Sequence, residues 1–325
     1  MDQILSLAAT NLLSPIILSF ALGVAASLAR SDLSVPEAAA KALSIYLLFA
    51  IGFKGGVSVA AHGIDAKLGL TLLAGIILSA GLPIIAFALL KVMTDLSRLD
   101  AAAVAAHYGS ISIVTFVAAT SVLQSSGIAS EGYMVAVAAA MEAPAILSAL
   151  WLITRGGGDQ RMDGDLWREI LLNGSIVLLV GSFFIGWITG EKGLEEISSF
   201  IVAPFKGVLC LFLLDMGLVA GRGLRDRSDV LRPGVLAFGV LMPIIGSTLG
   251  AVFGLVLGLS TGGVALLMVL SASASYIAVP AAMRVALPEA NPSIYLTLSL
   301  GVTFPFNLTL GIPLYVAVAS ALTGG

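Results

Sequence analysis

Charge is what this sequence has least of: Asp, Glu, Lys and Arg make up 11% of its 325 residues, against about 25% in an ordinary soluble domain. So few charges cannot cover a water-facing surface, and with 58% hydrophobic residues the chain reads as living in a bilayer. No basic block interrupts it and the net charge is −3, which excludes the electrostatic footprint of a nucleic-acid binder. The one cysteine, Cys210, lies in an apolar run, so no disulfide can form within the chain. There is no metal-spaced His and Cys set, no phosphate-cradling Gly-Lys motif and no Ser with a His and an acid in usable context. An ATP-driven pump and an enzyme are therefore not expected; an intramembrane hydrolase would have to be assembled ad hoc from His107, Glu142 and a Ser. Met1-Asp2-Gln3 lacks the basic region of a secretion signal, so the apolar segment after it reads as a retained helix.

Stretches long enough to cross about 30 Å of hydrocarbon fall at 4–28, 36–60, 68–92, 101–123, 133–154, 170–188, 200–221, 232–257, 263–286 and 294–320. The expected fold is thus an all-α membrane protein of ten transmembrane helices. A polar linker at 156–169, with Gly156-Gly157-Gly158 and several charges, divides a first five-helix unit (1–155) from a second (170–325). The units share landmarks: Leu82-Pro83-Ile84-Ile85 answers Met242-Pro243-Ile244-Ile245, Ser110-Ile111-Ser112 answers Ser273-Ala274-Ser275, and Tyr133 and Pro144 answer Tyr295 and Pro305. The offsets are 160, 163, 162 and 161 residues. An odd number of spans per unit turns the second copy upside down, the inverted-repeat plan of many secondary carriers. Lys and Arg beside the loops after odd-numbered spans outnumber those on the opposite side by 11 to 3, which places the linker in the cytoplasm and both termini outside.

Each half carries an apolar stretch interrupted by small hydroxyl residues, Gly109-Ser110-Ile111-Ser112 and Ser271-Ala272-Ser273-Ala274-Ser275. Paired interruptions at matching depth read as broken, crossing helices 4 and 9, with half-helices at Ile113–Leu123 and Ile277–Ala286. The first turn of a helix leaves N–H groups unpaired and carries about half a positive charge, so it attracts a small anion without Arg or Lys. Gly109, Ser110, Ser112, Ser273, Ser275 and Tyr276 are the candidate solute-binding residues. The competing reading is that Ser and Gly here only permit close helix packing.

Glu142 lies mid-span in Met141-Glu142-Ala143-Pro144, where a charged carboxylate costs about 2.5–3.5 kcal/mol unless it finds a partner. It reads either as a cation ligand, helped by the carbonyl that Pro144 frees one turn back, or as a protonated Glu bonded to a neighbouring helix. Thr115, Glu142, Thr303 and Asn307 form the candidate sodium set, with Asn307 equally readable as interhelical glue. Asp215, with Lys41 or Lys54 as conceivable partners, suits a structural or gating role. His107 reads as a hydrogen-bonded structural residue or a proton relay, His62 as a loop residue, and Trp151, Trp167 and Trp187 as interfacial.

The stretch Ala286-Leu287-Pro288-Glu289-Ala290-Asn291-Pro292-Ser293-Ile294-Tyr295, with Pro280, Arg284, Gly311-Ile312-Pro313-Leu314 and Ile51-Gly52-Phe53-Lys54-Gly55-Gly56, resembles the SbtA-type sodium-dependent bicarbonate transporters. The resemblance implies a homotrimeric inverted-repeat symporter of the bacterial cytoplasmic (inner) membrane, with Na⁺ as coupling ion. Gly109, Ser112 and Thr115 keep three positions of the family's Gly-Ala-Val-Ser-Gly-Ser-Thr. Its Met-Asp-Ile-Pro becomes Met141-Glu142-Ala143-Pro144, and its Ser-Ser-Ser-Asp-Ile-Ser-Gly-Pro becomes Ser273-Ala274-Ser275-Tyr276-Ile277-Ala278-Val279-Pro280. The linker is much shorter than in cyanobacterial members, which argues against a PII-like regulatory partner. The expected activity is sodium-coupled bicarbonate uptake. Two other readings stay open: a sodium- or proton-coupled carrier of a small organic carboxylate, and a membrane anion sensor that transports nothing.

Overall fold

The computed structural model describes residues 13–63, 65–154, 172, 174–226, 232–276, 279–280, 282–283 and 287–324. The expected linker, Trp167, Arg227, Arg284 and most of the second half-helix (277, 278, 281 and 284–286) lie outside the described residues. All the regular structure described is helical.

Among the described residues, eight helices are long and apolar enough to cross a membrane: Glu37–Ala61, Ala66–Met93, Arg98–Ser125, Met134–Leu152, Ile176–Ile201, Phe205–Arg225, Pro233–Val256 and Pro292–Thr323. Two shorter apolar helices, Pro15–Leu28 and Thr261–Ala272, stand where the first and ninth spans are expected. The first begins beyond the undescribed 1–12, and the ninth stops at its hydroxyl run.

In chain order the helices are α1 (Pro15–Leu28), α2 (Glu37–His62), α3 (Ala66–Met93), α4 (Arg98–Gly109), α5 (Ile113–Ser125), α6 (Met134–Ala140) and α7 (Glu142–Thr154). After the linker come α8 (Gly174–Ile201), α9 (Phe205–Asp226), α10 (Pro233–Val256), α11 (Thr261–Ala272), α12 (Pro292–Leu298), α13 (Phe304–Phe306) and α14 (Ile312–Thr323). Caps follow local chemistry: Ser14, Asp65, Ser97 and Ser260 accept a backbone N–H from the first turns of α1, α3, α4 and α11.

Four elements differ from the sequence reading. His62 is the last residue of α2 rather than part of a loop, and Gly63 follows at φ 83° to end the helix. The loop expected after 188 is helical: α8 turns at Gly190 (φ 59°, ψ −150°) and continues through Glu191-Lys192 to Ile201. Its charges and apolar residues alternate at helical spacing, which a hydropathy scan reads as a gap between spans. The fifth span divides at Met141 into α6 and α7, because Pro144 offers no N–H to the turn before it. The tenth runs from α12 to α14 through wide, π-helical stretches at Ser299–Thr303 and Asn307–Gly311. Pro305 and Pro313 follow two residues after those stretches, and such widening accommodates a ring inside a helix.

The helices pack in two groups. In one, α2 lies along α8 and α1 along α9. A Cβ on Gly52, Gly56 or Gly186 would meet backbone across the α2–α8 contact, and one on Gly23 or Gly217 would do so across α1–α9. Only glycine lets those axes approach so closely. In the other group, α3 packs on α4 and α7, and α10 on α11, with α14 also against α11. This second group encloses Arg98–Ser125, the most thoroughly buried of the spans, and every residue from Ala101 to Ala119 is inside.

Candidate functional site

Both expected interruptions exist. α4 ends at Gly109, Ser110 is extended (φ −85°, ψ 155°), and α5 begins at Ile113 with Ser112 as its N-cap. The Ser112 hydroxyl oxygen accepts from the Thr115 N–H at 3.3 Å and from the Thr115 hydroxyl at 2.9 Å. In the second half α11 ends at Ala272, Ser273 is extended (φ −88°, ψ 159°), and residues 279, 280, 282 and 283 are helical again. The Ser275 hydroxyl accepts from the Val279 N–H at 3.4 Å, four residues on, where Ser112 reaches three.

The two breaks are bonded to each other. The Ser112 N–H donates to the Ser273 hydroxyl oxygen at 2.9 Å, and that hydroxyl donates to the Leu270 carbonyl at 3.0 Å. The Ser275 N–H donates to the His107 carbonyl at 2.8 Å, and the His107 ring returns a short bond from Nδ1 to the Ser275 carbonyl. A carbonyl can only accept, so Nδ1 carries the proton. His107 thus holds both polar backbone groups of Ser275, and its ring stacks on Tyr295 with centroids 4.5 Å apart.

Glu142 arrives at the first break from α7. It is only 6% exposed, and one carboxylate oxygen accepts a short hydrogen bond from the Ser110 hydroxyl. The Met141 kink that delivers it is held by the Ser79 hydroxyl, which donates to the Met141 carbonyl at 2.6 Å. Gly109 sits where α3 presses closest: a Cβ there would run into the Pro83 ring and the Ser79 carbonyl. The packing role weighed for the small residues is therefore present, right beside the first break.

Polar groups without partners collect here. Among the described residues the Ile113 and Val114 N–H groups, first in α5, have no acceptor. The buried His107 Nε2, Ser271 Oγ and Tyr276 hydroxyl are also unpartnered, with the Tyr276 hydroxyl beside Ser112 but outside normal hydrogen-bond geometry. A buried polar atom left alone costs about 1–3 kcal/mol, so several together mark a place that a polar solute or water can fill.

The structure therefore brings Gly109, Ser110, Ser112, Thr115, Glu142, Ser273, Ser275 and Tyr276 to one buried locus. Thr303 and Asn307 line its second side, with their polar groups already engaged. The Thr303 hydroxyl donates to the Gly239 carbonyl at 2.7 Å and lies 2.6 Å from the Tyr108 hydroxyl. The Asn307 amide donates to the Ala272 carbonyl at 2.8 Å and accepts from the Tyr315 hydroxyl at 2.9 Å. Asn307 so closes the end of α11, the glue role among the two weighed. No group of three or more His, Cys, Asp or Glu side chains able to hold a metal occurs among the described residues. Sequence reasoning missed Ser79, Tyr108 and Tyr315. Tyr315 was the most findable, lying eight residues after Asn307 and so on the same helical face.

Apolar helices broken and bonded to each other at their breaks, in a chain with several helices of membrane-spanning length, fit a membrane transport protein. Residues 15–320 match the Na⁺-dependent bicarbonate transporter superfamily, and the chain belongs to it. No individual curated protein matches the chain significantly.

Proposed function

We propose that this protein couples Na⁺ entry to bicarbonate uptake, with the anion held at the meeting point of the two breaks. The observation that carries the reading is the reciprocal bonding of Ser112 to Ser273 and of Ser275 to His107, which leaves the Ile113 and Val114 N–H groups free beside it. Those donors and the α5 dipole suit a small oxyanion. Na⁺ fits the oxygen-rich side of the same break, where the Glu142 carboxylate and the Ser110, Ser112 and Thr115 hydroxyls gather. Hard oxygen ligands at an unwound segment are what Na⁺ needs.

This reading takes 1–155 and 170–325 as two inverted five-helix units of a ten-span carrier, with 156–169 in the cytoplasm and both termini outside. In support, the packing recurs in exchanged form. Helix α1 lies on α9 through glycines and α2 on α8 likewise. Ser79 bonds to Met141, and Gly239, 160 residues after Ser79, bonds to Thr303. An assembly as a homotrimer in the bacterial inner membrane rests on the family, and the apolar outer face of α8, with Phe184, Ile185 and Ile188 exposed, is where a second copy or lipid would lie. The short linker gives a PII-like partner little to hold.

Purified protein in liposomes is expected to take up labelled bicarbonate under an inward Na⁺ gradient and not under a K⁺ gradient. Uptake of a small organic carboxylate in preference would shift the substrate, and tight binding without uptake would make the protein a sensor.

Tyr276, Ala278 and Val279 replace an acid, a hydroxyl and a glycine of the family pattern, which removes cation ligands from the second break while leaving its backbone N–H groups. Fewer Na⁺ per anion are therefore expected than in a Tyr276→Asp, Ala278→Ser, Val279→Gly variant. Reversal potentials across set gradients give both ratios, and a parental ratio equal to or above the variant's would refute the assignment.

A further inference from the structure

Away from the breaks, one Lys or Arg among the described residues is withdrawn from the exposed surface. Lys54, eight residues before the end of α2, is half-buried, with its Nζ 3.9 Å from the centroid of the Phe205 ring. It makes no hydrogen bond or ion pair with any described residue. Lys54 and Phe205 line a cavity of about 230 Å³ between the two helix groups, together with Ser58, Thr120, Gln124 and Glu131. The carboxylate in that wall makes no ion pair with the ammonium and is held by Ser260. Glu131 accepts from the Ser260 N–H at 2.7 Å and from the Ser260 hydroxyl at 2.8 Å, fixing the residue that caps α11.

The cavity follows α5. Its lining runs from Phe116, one turn past the Ser112 cap, to the exposed Gln124 in the last turn. At 1.5 Å per residue that is about 12 Å, the distance from near the breaks to the edge of the apolar region. An ammonium inside a span is retained only where it meets a partner, an aqueous cavity or a solute. The Phe205 ring steadies Lys54 without neutralising it, and an ammonium held among apolar walls attracts anions to its own stretch of the cavity.

We propose that this cavity is an anion vestibule, in which Lys54 collects a small oxyanion before it moves along α5 to the breaks. The direction of travel rests on the transport reading above, and with the Arg-rich loops in the cytoplasm the mouth opens outside. The preference of the cavity for anions does not depend on transport and can be measured alone.

The test uses thiol labelling in a Cys210→Ser background. Thr120→Cys places a thiol inside the cavity and Gln124→Cys places one at its mouth. Each is reacted with an anionic probe (sulfonatoethyl methanethiosulfonate) and a cationic one (trimethylammonioethyl methanethiosulfonate). The anionic-to-cationic rate ratio at Thr120→Cys is expected to fall at least about tenfold when Lys54→Gln is added, as removal of one charge from a weakly screened cavity implies. It should hold with Lys54→Arg and change much less at Gln124→Cys. Lys54→Met serves as a second neutral variant should Lys54→Gln insert poorly. An unchanged ratio in the neutral variants overturns the proposal, as does a Thr120→Cys thiol that neither probe reaches. Because no uptake is measured, a protein that fails to carry bicarbonate yet shows the Lys54-dependent ratio overturns the transport reading and leaves the vestibule standing.

Discussion

Replacing Glu142 with Gln is expected to raise the Na⁺ concentration for half-maximal uptake at least about tenfold while leaving the protein folded and inserted. The amide keeps the volume of the side chain, and its carbonyl oxygen still accepts the hydrogen bond that the Ser110 hydroxyl gives the carboxylate. What disappears is the charge. A unit charge about 4 Å from a cation at an effective dielectric of about 20 contributes about 4 kcal/mol, and a third of that is already tenfold in affinity. Na⁺ titrations of bicarbonate uptake in liposomes, alongside the thermal stability of the purified variant, separate the two effects. An unchanged Na⁺ dependence excludes the role. A variant that loses stability but keeps its Na⁺ dependence assigns Glu142 to the interhelical hydrogen bond instead.

Adding one methyl group at Gly109 is expected to be worse for transport than adding one at Gly81, although the two glycines lie on neighbouring packed helices. A Cβ on Gly109 would overlap the Pro83 ring and the Ser79 carbonyl, and neither can turn away as a flexible side chain would. Overpacking of this kind costs about 1–3 kcal/mol, and relief must come from moving α3 against α4 just where the first break begins. A Cβ on Gly81 meets nothing within 4 Å, and alanine within a helix is favoured over glycine by up to about 1 kcal/mol. Gly109→Ala should therefore lower uptake at least about tenfold, and Gly81→Ala should leave it intact or slightly raise stability. Equal activity of the two variants would mean that the breaks tolerate displacement and are not a fitted site.

The breaks were legible because their chemistry is local. A hydroxyl run inside an apolar segment has few structural excuses, and both ends reappear at Gly109 and Ala272 with serine caps beyond them. The helical part of α8 after Gly190 was hidden by its charges, since Glu191, Lys192, Glu195 and Glu196 lower the hydropathy of a segment whose helical phase is nonetheless regular. The π-helical stretches flanking Phe304–Phe306 could not be seen, because wide turns leave no mark on composition beyond the prolines they accommodate. Pairings across the fold were beyond reach for another reason. Whether Thr303 meets a sodium ion or the Gly239 carbonyl depends on the relative height of two helices more than sixty residues apart, and periodicity fixes a face without fixing a height. The same holds for Lys54, whose surroundings are set by α5 and α9 rather than by its own helix.

The bond from Ser112 to Ser273 joins residues 161 positions apart, and this has a consequence for how the protein is made. At about 5–20 residues per second of synthesis, the first break waits about 8 to 30 s before its partner exists. During that interval its polar backbone has only water, lipid headgroups or the insertion machinery to satisfy it. The N-terminal half is thus an unfinished object in the membrane until the second break follows it there.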